Sequence, residues 1–511
     1  VGVEAVEAPH EAVTERDYRP LVVLAVMMAV YVAVFGHLTW RQQSNYGTFG
    51  YDMGLHDQAI WLMSRFQAPF MTIRGLNYFG HHVDLISVLF VPIYWLGGGP
   101  HALYFVETLA LAAAAIPIWL LGRDLMDPYL ALVPAGAYLL HPSTEWINWW
   151  HFHPDALVIT PLMFAWWLAT RRRWRWFAVC VVIALATKED AALAVTAMGV
   201  ALMFRGERRP GAWTFGAGVF WFLVCTKLII PITNGGGSPF YEDFFPGLGT
   251  SLPQILFNAI RHPSRVYHPM FAADRLVYFR KLLLPLALLP FVAPLALLVS
   301  APQTAVNTIA SHSPSHDIRF HYSAIILVGL MIATVEGVAR LARRGDGLKI
   351  AVVALLCVSA FMGNREWSPS PIGRDYKTGI WAQHNPREAA FNAAVHEVRP
   401  GDKVAATYLI DPHLTHRKYI YEFPNPWHIV NWDPTFRNAP PRLATCDTLV
   451  LDTQLLGDAA DLYAQLTSAP GPFRIVFSQD GVIVARRKHA PDAYERALNA
   501  EQRKFYVSQH P

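Results

Sequence analysis

The sequence predicts a polytopic α-helical membrane protein, with about 10–11 spans and a C-terminal α/β domain outside the bilayer. Three observations predict it. First, 53% of the 511 residues are hydrophobic, 13% are aromatic and only 16% are charged, where a soluble protein carries about 25% charged residues. Second, the charges fall in short clusters between long uncharged stretches, as bilayer spans require, because backbone polar groups in lipid must be satisfied within the helix. Third, the composition turns to that of a soluble domain near residue 363.

The first predicted span is 21–40, preceded by Arg16 and Arg19. Residues 1–19 form a tail before it, with no basic segment leading into a short apolar core, so no cleavable signal is expected. A polar stretch, 41–84, follows. The apolar piece 85–96, ended by Gly97-Gly98-Gly99-Pro100, is too short for a core about 30 Å thick and reads as interfacial. Further spans are expected at 101–121, 128–140, 156–170, 176–187, 191–204, 213–232 and 282–299. A short interrupted piece is expected at 301–310, and the last spans at 323–341 and 348–362.

Orientation follows from the basic loops. Arg171-Arg172-Arg173 with Arg175, then 205–209, then 340–344 are short and arginine-rich, and the positive-inside rule places them in the cytoplasm. Counting spans from there brings the polar loops 41–84, 141–155, 188–190, 235–280 and 311–322 together on the outer face. This works only if 85–96 does not cross, which agrees with its length. The protein is thus expected in the plasma (inner) membrane, with its tail 1–19 inside and domain 363–511 outside. In that outer domain 387–398 reads as an amphipathic helix, 403–407 and 448–452 as strands, 459–466 as a helix, and 473–477 with 481–486 as a strand pair.

The net charge of +4 is spread through loops, and no basic tract interleaved with aromatics suggests a nucleic-acid groove. Cys180, Cys225, Cys357 and Cys446 show neither metal spacing nor a disulfide framework.

The ionisable residues gather on the outer side. The first outer loop carries Tyr51-Asp52-Met53-Gly54-Leu55-His56-Asp57-Gln58. Asp52 and Asp57 lie about 500° apart on a helix, yet both can approach one cavity if Asp52 sits in the turn before the helix. Either can act as a general base toward an acceptor hydroxyl; either can simply cap the helix that follows. Adjacent His81 and His82 diverge and lack metal-site spacing, so polar site lining is expected there rather than zinc. His151, His153 and Asp155 stand in a Trp-rich run, whose tryptophans alone would be an interfacial belt. Lys188-Glu189-Asp190 interrupts a hydrophobic run at a helix end, where ionisable residues are costly to bury and mark sites or paired networks. Arg319, with His321 and Tyr322 beyond it, suits a phosphate, or Arg319 pairs with Asp317.

The run Tyr51-Asp52 through Trp61, in a large first outer loop 41–100, resembles the GT-C superfamily of glycosyltransferases. Pro92-Ile93-Tyr94-Trp95-Leu96 resembles the segment closing that loop in aminoarabinose and protein mannosyl transferases, and Gly122-Arg123-Asp124-Leu125 the inner turn between the second and third helices. Residues 20–362 also look like an uncharacterised bacterial family of this type. The matching motifs are Tyr51-Asp52-Met53-Gly54, His151-Phe152-His153-Pro154-Asp155, Lys188-Glu189-Asp190 and His321-Tyr322-Ser323, with Asp411-Pro412-His413-Leu414 in the outer domain. The resemblance implies a GT-C-like membrane domain and inverting transfer of a sugar from a polyprenyl-phosphate donor to a glycan, lipid or protein. Asp52 or Asp57 would be the base. Lys188, Arg319, His321, Tyr322, His82, His151, His153, Asp155, Glu189 and Asp190 would line the donor phosphate and substrate. The sequence departs from that pattern in lacking adjacent acidic residues or DxD in the first loop, which leaves open which Asp is the base and whether a divalent cation takes part. No firm cofactor is expected. A transporter or flippase of a lipid-linked saccharide is the competing reading. It would place ionisable residues near mid-bilayer on broken helices in paired positions, and here only Lys227 stands apart.

Overall fold

A computed structural model describes residues 17–509 except 234–243, 246, 250, 379–380 and 429–441. The predicted tail up to residue 16 and part of the 235–280 loop lie outside the described residues.

Among the described residues five helices are long and apolar enough to cross a membrane: Arg19–Ser44, Pro100–Leu125, Arg208–Thr233, His321–Ala342 and Asp346–Trp367. They divide into one that is surrounded and others that face outward. Helix Ala324–Ala342 is apolar on all sides and buried from Ala324 to Ala339, as befits the centre of a bundle. Arg19–Ser44, Arg208–Val224 and Asp346–Trp367 bury few side chains and expose Val22, Val26, Val30, Phe220, Val358 and Phe361. Such a large apolar surface fits lipid contact.

The remaining predicted spans are shorter. Residues 128–140 contribute only the helix Leu132–Leu139, and Trp174–Leu185 and Ala191–Phe204 run for 12 and 14 residues. The expected span 282–299 is not a continuous helix. It consists of 3₁₀ turns Leu284–Leu286, Leu289–Val292 and Pro294–Val299, with Ala287 and Leu288 left-handed between the first two. Pro285, Pro290 and Pro294 remove the amide donors that an α-helix would need there. Proline also explains the break at Ala114 in Pro100–Leu125, because Pro117 cannot donate to the carbonyl of Ala113. The interfacial piece forms a 3₁₀ turn Leu85–Phe90 running into a short helix Val91–Trp95.

The C-terminal region builds one five-stranded sheet in the order Ile420–Glu422, Val404–Ala406, Thr448–Asp452, Val482–Arg487, Phe473–Gln479. The first three strands are parallel, pairing Ala405 with Tyr421 and Leu449, and the last two join antiparallel. The hairpin turns at Asp480-Gly481, both with positive φ, as a tight primed turn demands. Helices Glu388–His396 and Ala460–Thr467 pack against it. Strand Ile420–Glu422 is absent from the sequence reading, since three residues carry no legible alternation.

Two membrane helices approach closely because small residues line their contact. A Cβ on Gly211 would lie 2.6 Å from Met203 Cγ and 2.7 Å from the Gly199 carbonyl oxygen, and such small-residue seams are how apolar helices gain contact without a hydrophobic drive. Gly211→Leu is therefore expected to push Ala191–Phe204 away from Arg208–Val224. Overpacking of this kind costs about 1–3 kcal/mol, read as a lower melting temperature in detergent; an unchanged melt would contradict this packing.

Candidate active site at the outer loops

Asp52 sits in a π-helical turn, Gly50–Gly54, that runs directly into helix Leu55–Ser64. Single π-turns place a side chain off the regular helical face and recur at functional sites. Its carboxylate is about one-quarter exposed and lies 3.5 Å from His153 Nε2. The other ring nitrogen, His153 Nδ1, is 3.2 Å from the carbonyl oxygen of His151. A carbonyl only accepts, so Nδ1 is the donor there, and Nε2 faces Asp52. Burial works to raise the Asp52 carboxyl, but the His153 hydrogen bond and charge outweigh it and hold the group below its ordinary range. His56 and His151 are themselves pushed down by burial, His151 to about 4. Both are neutral at neutral pH, and the pull on Asp52 is that of His153.

Behind this pair the ionisable residues form one chain of contacts. The His153 ring stacks on His321 with centroids 3.8 Å apart. His321 Nε2 is 3.5 Å from Asp155 Oδ2, and Lys188 Nζ is 3.3 Å from the same oxygen and 3.9 Å from Asp190. Lys188 also lies 5.7 Å over the Tyr322 ring. Glu189 is fully buried and accepts from His82 Nδ1 at 2.8 Å and from the Val83 amide at 3.0 Å. Burial alone would strip the Lys188 charge, but Asp155, Asp190 and Glu189 keep it protonated, while burial beside other carboxylates lifts Asp190 to about 7. Asp155 stays ionised because His321, Lys188 and His153 overcome its desolvation. The result is a partly exposed carboxylate at the edge of the site, backed by a buried hydrogen-bonding network in which Lys188 is the cation.

His151 lies beside them, its Nδ1 3.0 Å from Tyr104 OH and its backbone at a φ of 87°. A non-glycine residue in that region costs of order 1–3 kcal/mol and persists only where its surroundings hold it. His151 Nε2, His321 Nδ1 and Glu107 Oε2 are buried with no hydrogen-bond partner among the described residues. Buried polar atoms are nearly always satisfied, so these three mark where a polar substrate group is wanted.

Two predicted site residues lie elsewhere. Asp57 is fully buried and satisfied: it accepts from Tyr94 OH at 2.6 Å and from the Thr415 hydroxyl, with His416 Nε2 at 3.2 Å. It fastens the first polar loop to the C-terminal domain, with both carboxylate oxygens engaged. Arg319 is half-exposed and clamped by Asp317, with Nε donating at 2.9 Å, which realises the pairing alternative.

The sequence reading did not single out Arg74 or Glu422, quoted His56 only within the first-loop run, and named Asp411 only within a matching motif of the C-terminal domain. Half-buried Arg74 lies 5.9 Å over the Tyr51 ring, within electrostatic reach of Asp52 and Tyr322, and desolvation brings its guanidinium down to about 10, still charged at neutral pH. Nothing in the run Ile73-Arg74-Gly75 announces it. His56 Nδ1 binds Tyr78 OH at 2.8 Å and its ring stands edge-on to His153. Asp411 and Glu422 come from the C-terminal domain. A Cβ on Gly50 would meet Asp411 Oδ2 and Glu422 Oε2 at 2.7 Å each, so only glycine lets the two carboxyls close over the turn that carries Asp52. The Gly50 amide also donates to the Tyr408 carbonyl at 2.9 Å. Among the described residues no group of three His, Cys, Asp or Glu side chains converges as a metal-ligand set.

Fold and site together define a multi-spanning membrane protein with a polar centre walled by its first outer loop, its helix ends and a small α/β domain. The chain matches, over residues 45–484, the profile of the family described as predicted membrane protein (DUF2079), and it belongs to that family. No curated protein matches it. The structure is similar to ArnT from Cupriavidus metallidurans in the apo state, with 13% identity, a TM-score of 0.49, and 91% of this chain and 98% of that one covered. It is also similar to the Archaeoglobus fulgidus oligosaccharyltransferase in the apo form, with 12% identity, a TM-score of 0.43, and 86% and 70% covered. The complex of that enzyme with Zn and sulfate gives 11% identity, a TM-score of 0.43, and 90% and 73% covered. None of these overlaps assigns an activity to this chain.

Two outcomes follow. Breaking a buried, hydrogen-bonded charge typically costs about 3–5 kcal/mol, so Asp57→Ala is expected to loosen the C-terminal domain, read as faster proteolysis of 363–511. Protection equal to wild type would contradict the latch. The Asp411–Glu422 pair gives a pH dependence. Burial raises both groups, Asp411 well above its range and Glu422 to about 8. A folded pKa above the unfolded one means stability that is present at acid pH and lost as pH rises through about 8. The melting temperature should fall from pH 5 to 9, and Asp411→Asn/Glu422→Gln should flatten that fall; an unaltered slope would remove the pair as its source.

Proposed function

We propose that this protein transfers a sugar, with inversion, from a polyprenyl-phosphate donor to a glycan, lipid or protein acceptor on the outer face of the plasma (inner) membrane. The observation that carries this reading is Asp52: an ionised, partly exposed carboxylate on a π-turn, 3.5 Å from His153 Nε2 and backed by the Asp155–Lys188–His321 network. Inversion at a sugar carbon needs a carboxylate to take the acceptor proton and a cationic group for the departing phosphate. Asp52 serves as the base, positioned by His153. Lys188, His321 and Arg74 supply positive charge or N–H donors to the phosphate, Tyr322 adds a hydroxyl, and His82 with Glu189 holds the Lys188 turn in place.

The three unsatisfied atoms on His151, His321 and Glu107 suit the hydroxyls of a sugar, whose donors and acceptors would meet them in the otherwise dry interior. The lipid tail lies between spans, and the C-terminal domain, locked to the loop through Asp57 and Gly50, faces the acceptor. A divalent cation is given no step here.

Asp52→Asn keeps the shape of the side chain and removes the base. General-base catalysis is worth about 10²–10⁴-fold, so turnover of a polyprenyl-phosphate sugar by the purified variant should fall by that factor, with its melting temperature within a degree or so of wild type. Wild-type turnover by the variant would sink the assignment.

A further inference from the structure

Three helices that present site residues at their beginnings carry arginines at their ends. Asp155 opens the segment ending in helix Ile159–Thr170, and Arg171 follows it; Lys188 precedes Ala191–Phe204, and Arg205 follows; His321 precedes Ala324–Ala342, with Arg340 in its last turn and Arg343 just beyond. At 1.5 Å per residue these helices put roughly 18–28 Å between the two ends. Arg171, Arg205, Arg340 and Arg343 line one cavity of about 550 Å³, together with Asp124 and Glu336.

Arginine at a helix C-terminus is ordinary, since the helix dipole favours a cation there. Three features exceed that explanation. Although Arg171, Arg340 and Arg343 are partly exposed, their side chains border the same cavity as half-buried Arg205. Both carboxylates are already engaged: Asp124 accepts from Arg171 Nε at 2.6 Å and Trp167 Nε1 at 2.9 Å, and Glu336 accepts from Arg205 and from Trp166 Nε1 at 3.2 Å, with Arg340 at 3.8 Å. Four guanidiniums against two carboxylates leave two positive charges in excess, and Arg340 and Arg343 otherwise hold only the carbonyl oxygens of Val292 and Leu125. Finally, Arg205 Nε is buried with no acceptor among the described residues. A cationic lining with a buried donor to spare suits the fork geometry with which arginine takes phosphoryl oxygens.

We propose that this cavity binds the phosphate-bearing headgroup of an anionic membrane lipid, at the end of the helical body remote from Asp52. Basic pockets between helices on one membrane face are a recurrent lipid site, and the arginine-rich loops at 171–175, 205–209 and 340–344 border this one. The site stands independently of the transferase reading.

The test uses the full chain in nanodiscs of phosphatidylcholine alone or mixed with phosphatidylglycerol. The anionic lipid should raise the melting temperature by several degrees, less at high salt, where charge attraction is screened. Arg340→Gln/Arg343→Gln should lose that rise. Arg340→Lys/Arg343→Lys should keep part of it, and Arg173→Gln/Arg175→Gln on the neighbouring loop should keep all of it. No rise in wild type, an undiminished rise in the 340/343 glutamine variant, or equal loss in the loop variant would overturn the site. If the glutamine variant does not fold, a full rise in the lysine variant would equally count against the guanidinium fork. An equal rise with inorganic phosphate over phosphatidylcholine would assign the cavity to a soluble phosphate and contradict the lipid.

Discussion

Three carboxylates that the chain buries around its polar loops, Asp57, Asp155 and Glu189, each meet a cation or a donor from some other element, and these matches tie the loops to one another and to the C-terminal domain. An isolated buried charge is too costly to keep. Asp57, from the first loop, is therefore matched by Thr415 and His416 of the C-terminal domain. Asp155, from the second polar loop, is matched by Lys188 and His321. Glu189 is matched by His82. Each match spans elements far apart in sequence, so the loops are ordered by one another rather than by any one of them.

Within that frame the two aspartates of the first loop take opposite roles for a physical reason. Asp57 lies in the regular helix and turns toward Tyr94 and the C-terminal domain, where both of its oxygens are engaged. Asp52 lies in the π-turn, where the extra residue carries its carboxylate toward His153. Gly50 makes this possible, because the acidic pair Asp411 and Glu422 occupies the space where any side chain would go. The turn is thus pressed from the C-terminal-domain side by two carboxyls and met on its other side by the His153 ring.

Much of this was legible in the sequence. The long apolar runs marked the five helices long enough to span, the shortness of 85–96 was visible from its length, and the strand pair 473–477 with 481–486 marked part of the C-terminal sheet. The clustering of Asp52, His153, Asp155, Lys188 and His321 followed from the counting of loops alone. What stayed illegible was conformation set by tertiary contact. A π-turn has no sequence signature, so the separation of Asp52 from Asp57 was hidden. Arg74 stands alone in a polar loop, and its burial comes from packing. The 282–299 segment looked like a span because its composition is apolar, while its three prolines decided its shape.

The most direct test is a map of the protein bound to a non-transferable polyprenyl-phosphate sugar analogue. The account predicts phosphate density against Lys188, His321 and Arg74, with the sugar between that wall and Asp52, and with Asp57 still locked to Thr415 and His416. Phosphate density beside Asp57, or lipid bound away from Asp52 altogether, would contradict it.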